Sequence, residues 1–179
     1  MVSFSAFSDD ELKSKVVTYG GYGIGLTKDW ASKQGLSPVN YIDANSPAAQ
    51  GLNALLRARQ TGLIPSILRL PIIQLKCFTK HVTGFNSYFK EANFNFEAER
   101  EWRFVPSKTQ IGGNLISENF STYKNNKEKY NKRLEKYPLP FSYEDVSYVY
   151  VKTEVERQEI IQITGLPERK LKIKLWSEK

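Results

Sequence analysis

Apolar and polar positions alternate with period two from Tyr19 to Leu26 (YGGYGIGL), where Tyr22, Ile24 and Leu26 interleave with Gly21, Gly23 and Gly25. That spacing predicts a strand with one bare face, which usually marks the close approach of another backbone or a ligand. Before it, Asp9 to Val17 (DDELKSKVV) predicts a short helix with Ser8 as its N-cap and acids in its first turn. After it, Thr27 caps a helix through Lys33, Gly35 suits the position just past its end, and Ser37-Pro38 stops it. Val39 to Ile42 predicts a short strand. Ser46-Pro47 opens the clearest helix: serine is the N-cap, proline takes the first helical position, Leu52, Leu55 and Leu56 lie on one face, and Gly62 ends it.

Pro71 to Phe78 (PIIQLKCF) is a continuous apolar run, and we read it as a central strand. Glu101 to Val105 (EWRFV) predicts another. Between them, Phe85, Tyr88, Phe89, Phe94 and Phe96 stand among polar residues, as in a loop or short elements that pack down through their rings. Ser121 to Tyr137 is a charged helical stretch stopped by Pro138 and Pro140. Val146 to Val151 (VSYVYV) predicts a strand, Thr153-Glu-Val-Glu156 is a capping box, and the helix it opens ends near Gly165. Lys170 to Leu175 alternates charge with apolar residues, as a half-exposed edge strand does. Helices and strands follow one another without a regular βαβ rhythm. The expectation is an α+β fold of one domain spanning residues 1–179, with a mixed, largely antiparallel sheet and several short helices.

A length of 179 residues is enough to bury a core without metals or disulfides. One cysteine, Cys77, excludes an intrachain disulfide and paired-thiolate metal sites, and one histidine, His81, excludes a His pair. No metal or bound cofactor is expected. No apolar run approaches the roughly 20 residues of a membrane helix, and the N-terminus does not resemble a secretory signal, so a cytoplasmic location is expected. A net charge of +7 fits a basic soluble surface, and it also suits an acidic protein partner or nucleic acid.

Two nucleotide motifs fail. Gly21, Gly23 and Gly25 lack the final glycine of a dinucleotide fingerprint, since Leu26 stands there, and no glycine precedes Lys-Ser or Lys-Thr as in a P-loop. The most distinctive constellation is Glu97-Ala-Glu99-Arg-Glu101-Trp-Arg103. On a strand, residues 97, 99, 101 and 103 would share one face, so three carboxylates would need pairing, solvent or a function. Lys124, Lys127, Lys132 and Arg133, interleaved with Tyr123, Tyr130 and Tyr137, could contact nucleic acid or an acidic partner, though such a run is usually a solvated helix face. Cys77, in the apolar run, is expected to be an inert core thiol.

Two blocks of the chain resemble the AbiGi family of abortive-infection proteins. The first is Met1-Val-Ser-Phe-Ser5 with Tyr19 to Trp30 (YGGYGIGLTKDW) and Pro38-Val-Asn-Tyr41; the second is Glu99 to Pro106 (EREWRFVP), supported by Leu139-Pro-Phe141 and Asp145 to Val149. The chain departs from that pattern in carrying Ser3-Phe4-Ser5 where the family shows a Cys-Phe-Cys-like segment. It also begins inside the family pattern, as a fragment, a trimmed version or a chain with a mis-assigned start would. The resemblance implies a part in phage defence as an antitoxin-like protein that binds and restrains a toxic partner encoded by an adjacent gene. A different class of reading is an enzyme similar to ADP-ribosyltransferases, which use a glutamate, sometimes within E-x-E, on NAD. There Glu101 would be catalytic, Glu99 would orient the acceptor, and Tyr22, Gly23, Trp102, Arg103 and Ser5 would line the ligand site.

Overall fold

The computed structural model describes residues 1–14 and 21–173. In chain order the elements are β1 (Val2–Ser5), α1 (Asp9–Ser14), β2 (Gly23–Leu26), α2 (Lys28–Lys33), β3 (Ser37–Pro38), β4 (Asn40–Ile42), α3 (Pro47–Thr61), α4 (Arg69–Cys77), β5 (Thr79–His81), β6 (Thr83–Asn86), β7 (Glu91–Asn95), β8 (Glu101–Phe104), α5 (Phe120–Asn125), α6 (Lys127–Leu134), β9 (Val146–Val151), α7 (Glu154–Thr164) and β10 (Leu171–Ile173). The α+β class holds. Among the described residues the strands fall into four small sheets rather than one. Predicted helix at 15–17, predicted strand at 19–20 and predicted strand at 174–175 lie outside the described residues.

The chain divides into two compact units, each built from two stretches of sequence: Met1–Ala6 with Leu36–Leu139, and Phe7–Gly35 with Pro140–Lys179. In the first unit β8 is the centre of a three-stranded antiparallel sheet, with β1 on one side and β3 on the other. Ser3 stands opposite Arg103 and Ser5 opposite Glu101. β4 and β5 pair in parallel, Tyr41 opposite Lys80, and the crossover between them is the pair of helices α3 and α4. β6 and β7 form a hairpin, and rings from this region pack in a row: Phe89 on Phe94 with centroids 5.5 Å apart, Phe94 on Phe96 at 5.2 Å. Val39, Ala49, Ile72, Ile73 and Ile111 are among its buried residues.

Local sequence explains the best-defined helix. Ser46 Oγ accepts from the Ala49 amide at 3.2 Å, Pro47 occupies the first turn, and Gly62 closes the helix at φ 78° with its N–H on the Ala58 carbonyl. The apolar run Pro71–Phe78, expected as a strand, is instead helix α4 up to Cys77. Pro71 is its third residue, within the first turn where the missing N–H leaves no helical bond unmade. Ile72 and Ile73 are buried while Leu68, Pro71 and Leu75 are exposed, which is a helical stripe at i, i+3 and i+7. Cys77 therefore sits at a helix end, half-buried, with burial pushing its thiol above the ordinary value.

In the second unit β9 is flanked by β10 in parallel and β2 antiparallel. β10 is the edge strand its charge alternation predicts. Val146, Leu166 and Leu171 form the core, with Leu26, Val149, Ile160 and Ile161 packed against it. The bare face of β2 meets its own neighbour strand: a Cβ on Gly23 would lie 3.5 Å from the Tyr150 ring, and one on Gly25 3.5 Å from the Tyr148 carbonyl oxygen. The capping box at α7 is complete, with Thr153 Oγ1 accepting from the Glu156 amide and Glu156 accepting from the Thr153 amide. Trp30 is buried and its indole donates to the Pro140 carbonyl at 2.9 Å.

Candidate functional site

The acidic segment folds differently from a continuous strand. Asn95 accepts from the Glu97 amide at 3.0 Å and caps a short 3-10 turn over Phe96–Glu99, so residues 97 and 99 are not on β8. Arg100 then adopts a left-handed conformation at φ 45°, and the strand starts at Glu101. Glu97 is left exposed. Glu99 nevertheless reaches the same place as Glu101 and Arg103, carried there by the turn.

β8 alternates as its pleat requires. Glu101 and Arg103 are buried on one face, and Trp102 is half-buried on the other beside Phe4 and Pro38. Arg103 Nε donates to Glu101 Oε1 at 2.8 Å and its Nη2 donates to Oε2 at 3.1 Å. Arg103 Nη1 donates to the Cys77 carbonyl, at the C-terminus of α4. Lys80 on β5 bridges the carboxylates, with its Nζ 2.7 Å from Glu99 Oε2 and 3.0 Å from Glu101 Oε2, and it lies 4.3 Å from the centre of the Phe96 ring. The Glu101 amide donates to Tyr41 Oη at 2.8 Å. Ser3 hydrogen-bonds the Glu101 carboxylate from β1.

Two carboxylates thus meet two cations in a buried, charge-balanced group. Burial pushes Glu101 up, but the bonds from Arg103, Ser3 and Lys80 and the charge of Arg103 outweigh it and hold the carboxyl at about 2. Lys80 is pulled down by burial and raised further by its two glutamates, for a net rise. A carboxylate offers about four acceptor sites. Arg103 takes two, Lys80 one and Ser3 one, so Glu101 is filled by its own chain.

The remaining predicted site residues do not all join this group. Ser5 stands opposite Glu101 in register and is exposed; Trp102 faces away. Tyr22 and Gly23 belong to the second unit, where the Tyr22 hydroxyl donates to Glu156 at 2.7 Å and Lys152 lies 5.4 Å from its ring. Lys124, Lys127, Lys132 and Arg133 are exposed, on a stretch that Asn126 breaks into α5 and α6. The Tyr123 and Tyr130 rings there are half-buried against each other, 6.1 Å apart, and the Tyr130 hydroxyl donates to Glu118. His81 is exposed at the end of β5. Sequence reasoning missed Lys80 and Tyr41, which reach the group only through the parallel pairing of β4 with β5; no local signal marks either. Among the described residues no group of three or more His, Cys, Asp or Glu could hold a metal ion, and no helix is long and apolar enough to cross a membrane.

Neither the curated proteins nor the solved structures yielded a match. The family model "Putative abortive phage resistance protein AbiGi, antitoxin" matches residues 1–152, most of the chain and all of the residues around Glu101. The chain belongs to the AbiGi family of abortive phage resistance proteins.

Proposed function

We propose that this chain is the antitoxin-like member of a two-gene phage-defence pair, which binds a toxic protein encoded by an adjacent gene and restrains it without catalysis. The observation that carries this reading is the state of Glu101. A catalytic carboxylate must offer an oxygen to a substrate or a proton, and both Glu101 oxygens are occupied by Arg103, Lys80 and Ser3. With a carboxyl held at about 2 it is a poor base at neutral pH. The group fits a clamp that fixes β8 to β1, β5 and the end of α4. The family description and the basic charge of +7 support a protein partner.

One observation favours an ADP-ribosyltransferase-like reading: pairing of β1 with β8 brings Ser3-Phe4-Ser5 alongside the second glutamate of Glu99-x-Glu101, with Ser5 opposite Glu101 in register and Ser3 hydrogen-bonded to its carboxylate. The residues present do not fit NAD at that place, because Glu101 has no acceptor site left for a ribose hydroxyl. The test is growth of bacteria expressing the neighbouring gene alone, this chain alone, and both. Arrest by the neighbouring gene that this chain relieves supports the proposal. Arrest by this chain alone that disappears in Glu101→Gln, with the variant still folded at the growth temperature by circular dichroism and present at the parent's level, overturns it in favour of the enzyme.

A further inference from the structure

The first unit carries a long stretch of one charge sign. No Asp or Glu occurs between Asp43 and Glu91, while Arg57, Arg59, Arg69, Lys76, Lys80 and Lys90 all fall there. This stretch holds α3, α4 and the turn between them. Its surface also carries exposed aliphatic side chains: Leu63 is 80% exposed and Ile67 79%, with Leu55, Leu68 and Leu75 also open to solvent. Leu68 just before α4, with Pro71 and Leu75 on it, forms an outer stripe, and Arg69 and Lys76 lie one position further round, also exposed. Among the described residues no carboxylate lies within ion-pairing distance of Arg57, Arg69 or Lys76. Single exposed leucines need no explanation, whereas several on one helical hairpin, rimmed by unpaired cations, have the composition of an interface centre and its rim.

We infer that the α3–α4 hairpin is the surface by which this chain holds its toxic partner, through an acidic segment of that partner whose apolar side chains seat on Leu63, Ile67 and Leu75. This rests on the antitoxin-like reading above. The charge pattern selects the occupant. A second copy of this chain would bring the same cations to the contact and repel. Nucleic acid would meet aliphatic side chains at the centre of the face, with no exposed ring between residues 47 and 77 on which bases could stack. An acidic segment with apolar side chains satisfies both features, the carboxylates steering its approach and the aliphatic contacts holding it.

The test uses the purified full chain and the purified product of the neighbouring gene, with affinity measured by calorimetry at low and high salt. Leu63→Glu/Ile67→Glu changes two side chains that make little buried contact, so the fold is retained, and circular dichroism checks that it is. This variant is expected to bind at least 100-fold more weakly. Arg69→Glu is expected to weaken binding about tenfold at low salt and less at high salt, because an exposed charge is screened. Lys129→Glu, on α6, is expected to bind as the parent does. If the parent binds and Leu63→Glu/Ile67→Glu binds within threefold of it, this surface is refuted and the antitoxin-like reading stands. If the parent does not bind, both fall. Loss of binding to RNA or to anionic vesicles in the face variants, with the partner still held, also refutes the inference.

Discussion

Replacing Glu101 by Gln keeps the shape of the side chain and removes its charge, leaving Lys80 and Arg103 with one carboxylate between them. Two routes give the cost. The Glu101 carboxyl falls from an ordinary 4.5 to about 2 in the folded chain. A fall of roughly 2.5 pH units, at about 1.36 kcal/mol each, corresponds to about 3 kcal/mol. The side chain is 6% exposed, so solvent screening removes little of this. Independently, removing one partner of a buried ion pair costs roughly 3–5 kcal/mol, and glutamine, which still accepts one bond, belongs at the low end. At roughly 2–4 °C per kcal/mol for a chain of this size, the melting temperature is expected to drop by about 6–12 °C. The sign with pH follows from the lowered carboxyl. Its contribution is complete above the unfolded value of 4.5, shrinks as the unfolded carboxyl takes up a proton, and is gone once pH falls below about 2. Urea unfolding of parent and variant at pH 7, 5, 4 and 3 should therefore show a gap that is full at pH 7 and narrows steadily below 4.5. Taking the difference cancels the other carboxylates of the chain. A loss under about 1 kcal/mol at pH 7, or a gap unchanged between pH 5 and 3, would refute the clamp. Glu97→Gln is the control, since Glu97 is exposed and outside the group.

Two further outcomes test local parts of the fold. Thr153→Ala removes the side chain that caps α7 and should cost about 1 kcal/mol, read as a lower urea midpoint with unchanged slope. Gly112→Ala should destabilise more than Gly113→Ala: both glycines have positive φ, but a Cβ at 112 would collide with the Tyr137 hydroxyl and one at 113 would meet nothing within 4 Å. Combining Gly112→Ala with Tyr137→Ala should narrow that difference in thermal melts, and equal costs for the two glycines would show that the close approach to Tyr137 is absent.

What could be read from the sequence follows the range over which each signal acts. The ends of α3 and α7 were legible because Ser46-Pro47, Gly62, Thr153, Glu156 and Gly165 act within one helical turn of themselves. α4 was not, because an eight-residue apolar run has no visible period until burial separates Ile72 and Ile73 from Leu68 and Leu75. The acidic segment shows both sides. Spacing of two placed Glu101 and Arg103 on one face correctly, since β8 is regular there. It placed Glu97 and Glu99 wrongly, since Asn95 offered the backbone a turn in place of a strand. Glu99 joined the group all the same, and electrostatics gives the reason. Two buried carboxylates with one arginine leave a net negative charge away from water, which a folded chain cannot retain without a second cation or a proton. The segment itself offered only Arg100, which the left-handed turn leaves exposed. The second cation had to come from a distant part of the chain, and it is Lys80, 19 residues from Glu99 and 21 from Glu101 in sequence. Charge balance thus required such a residue, but only the parallel pairing of β4 with β5 decides which one it is.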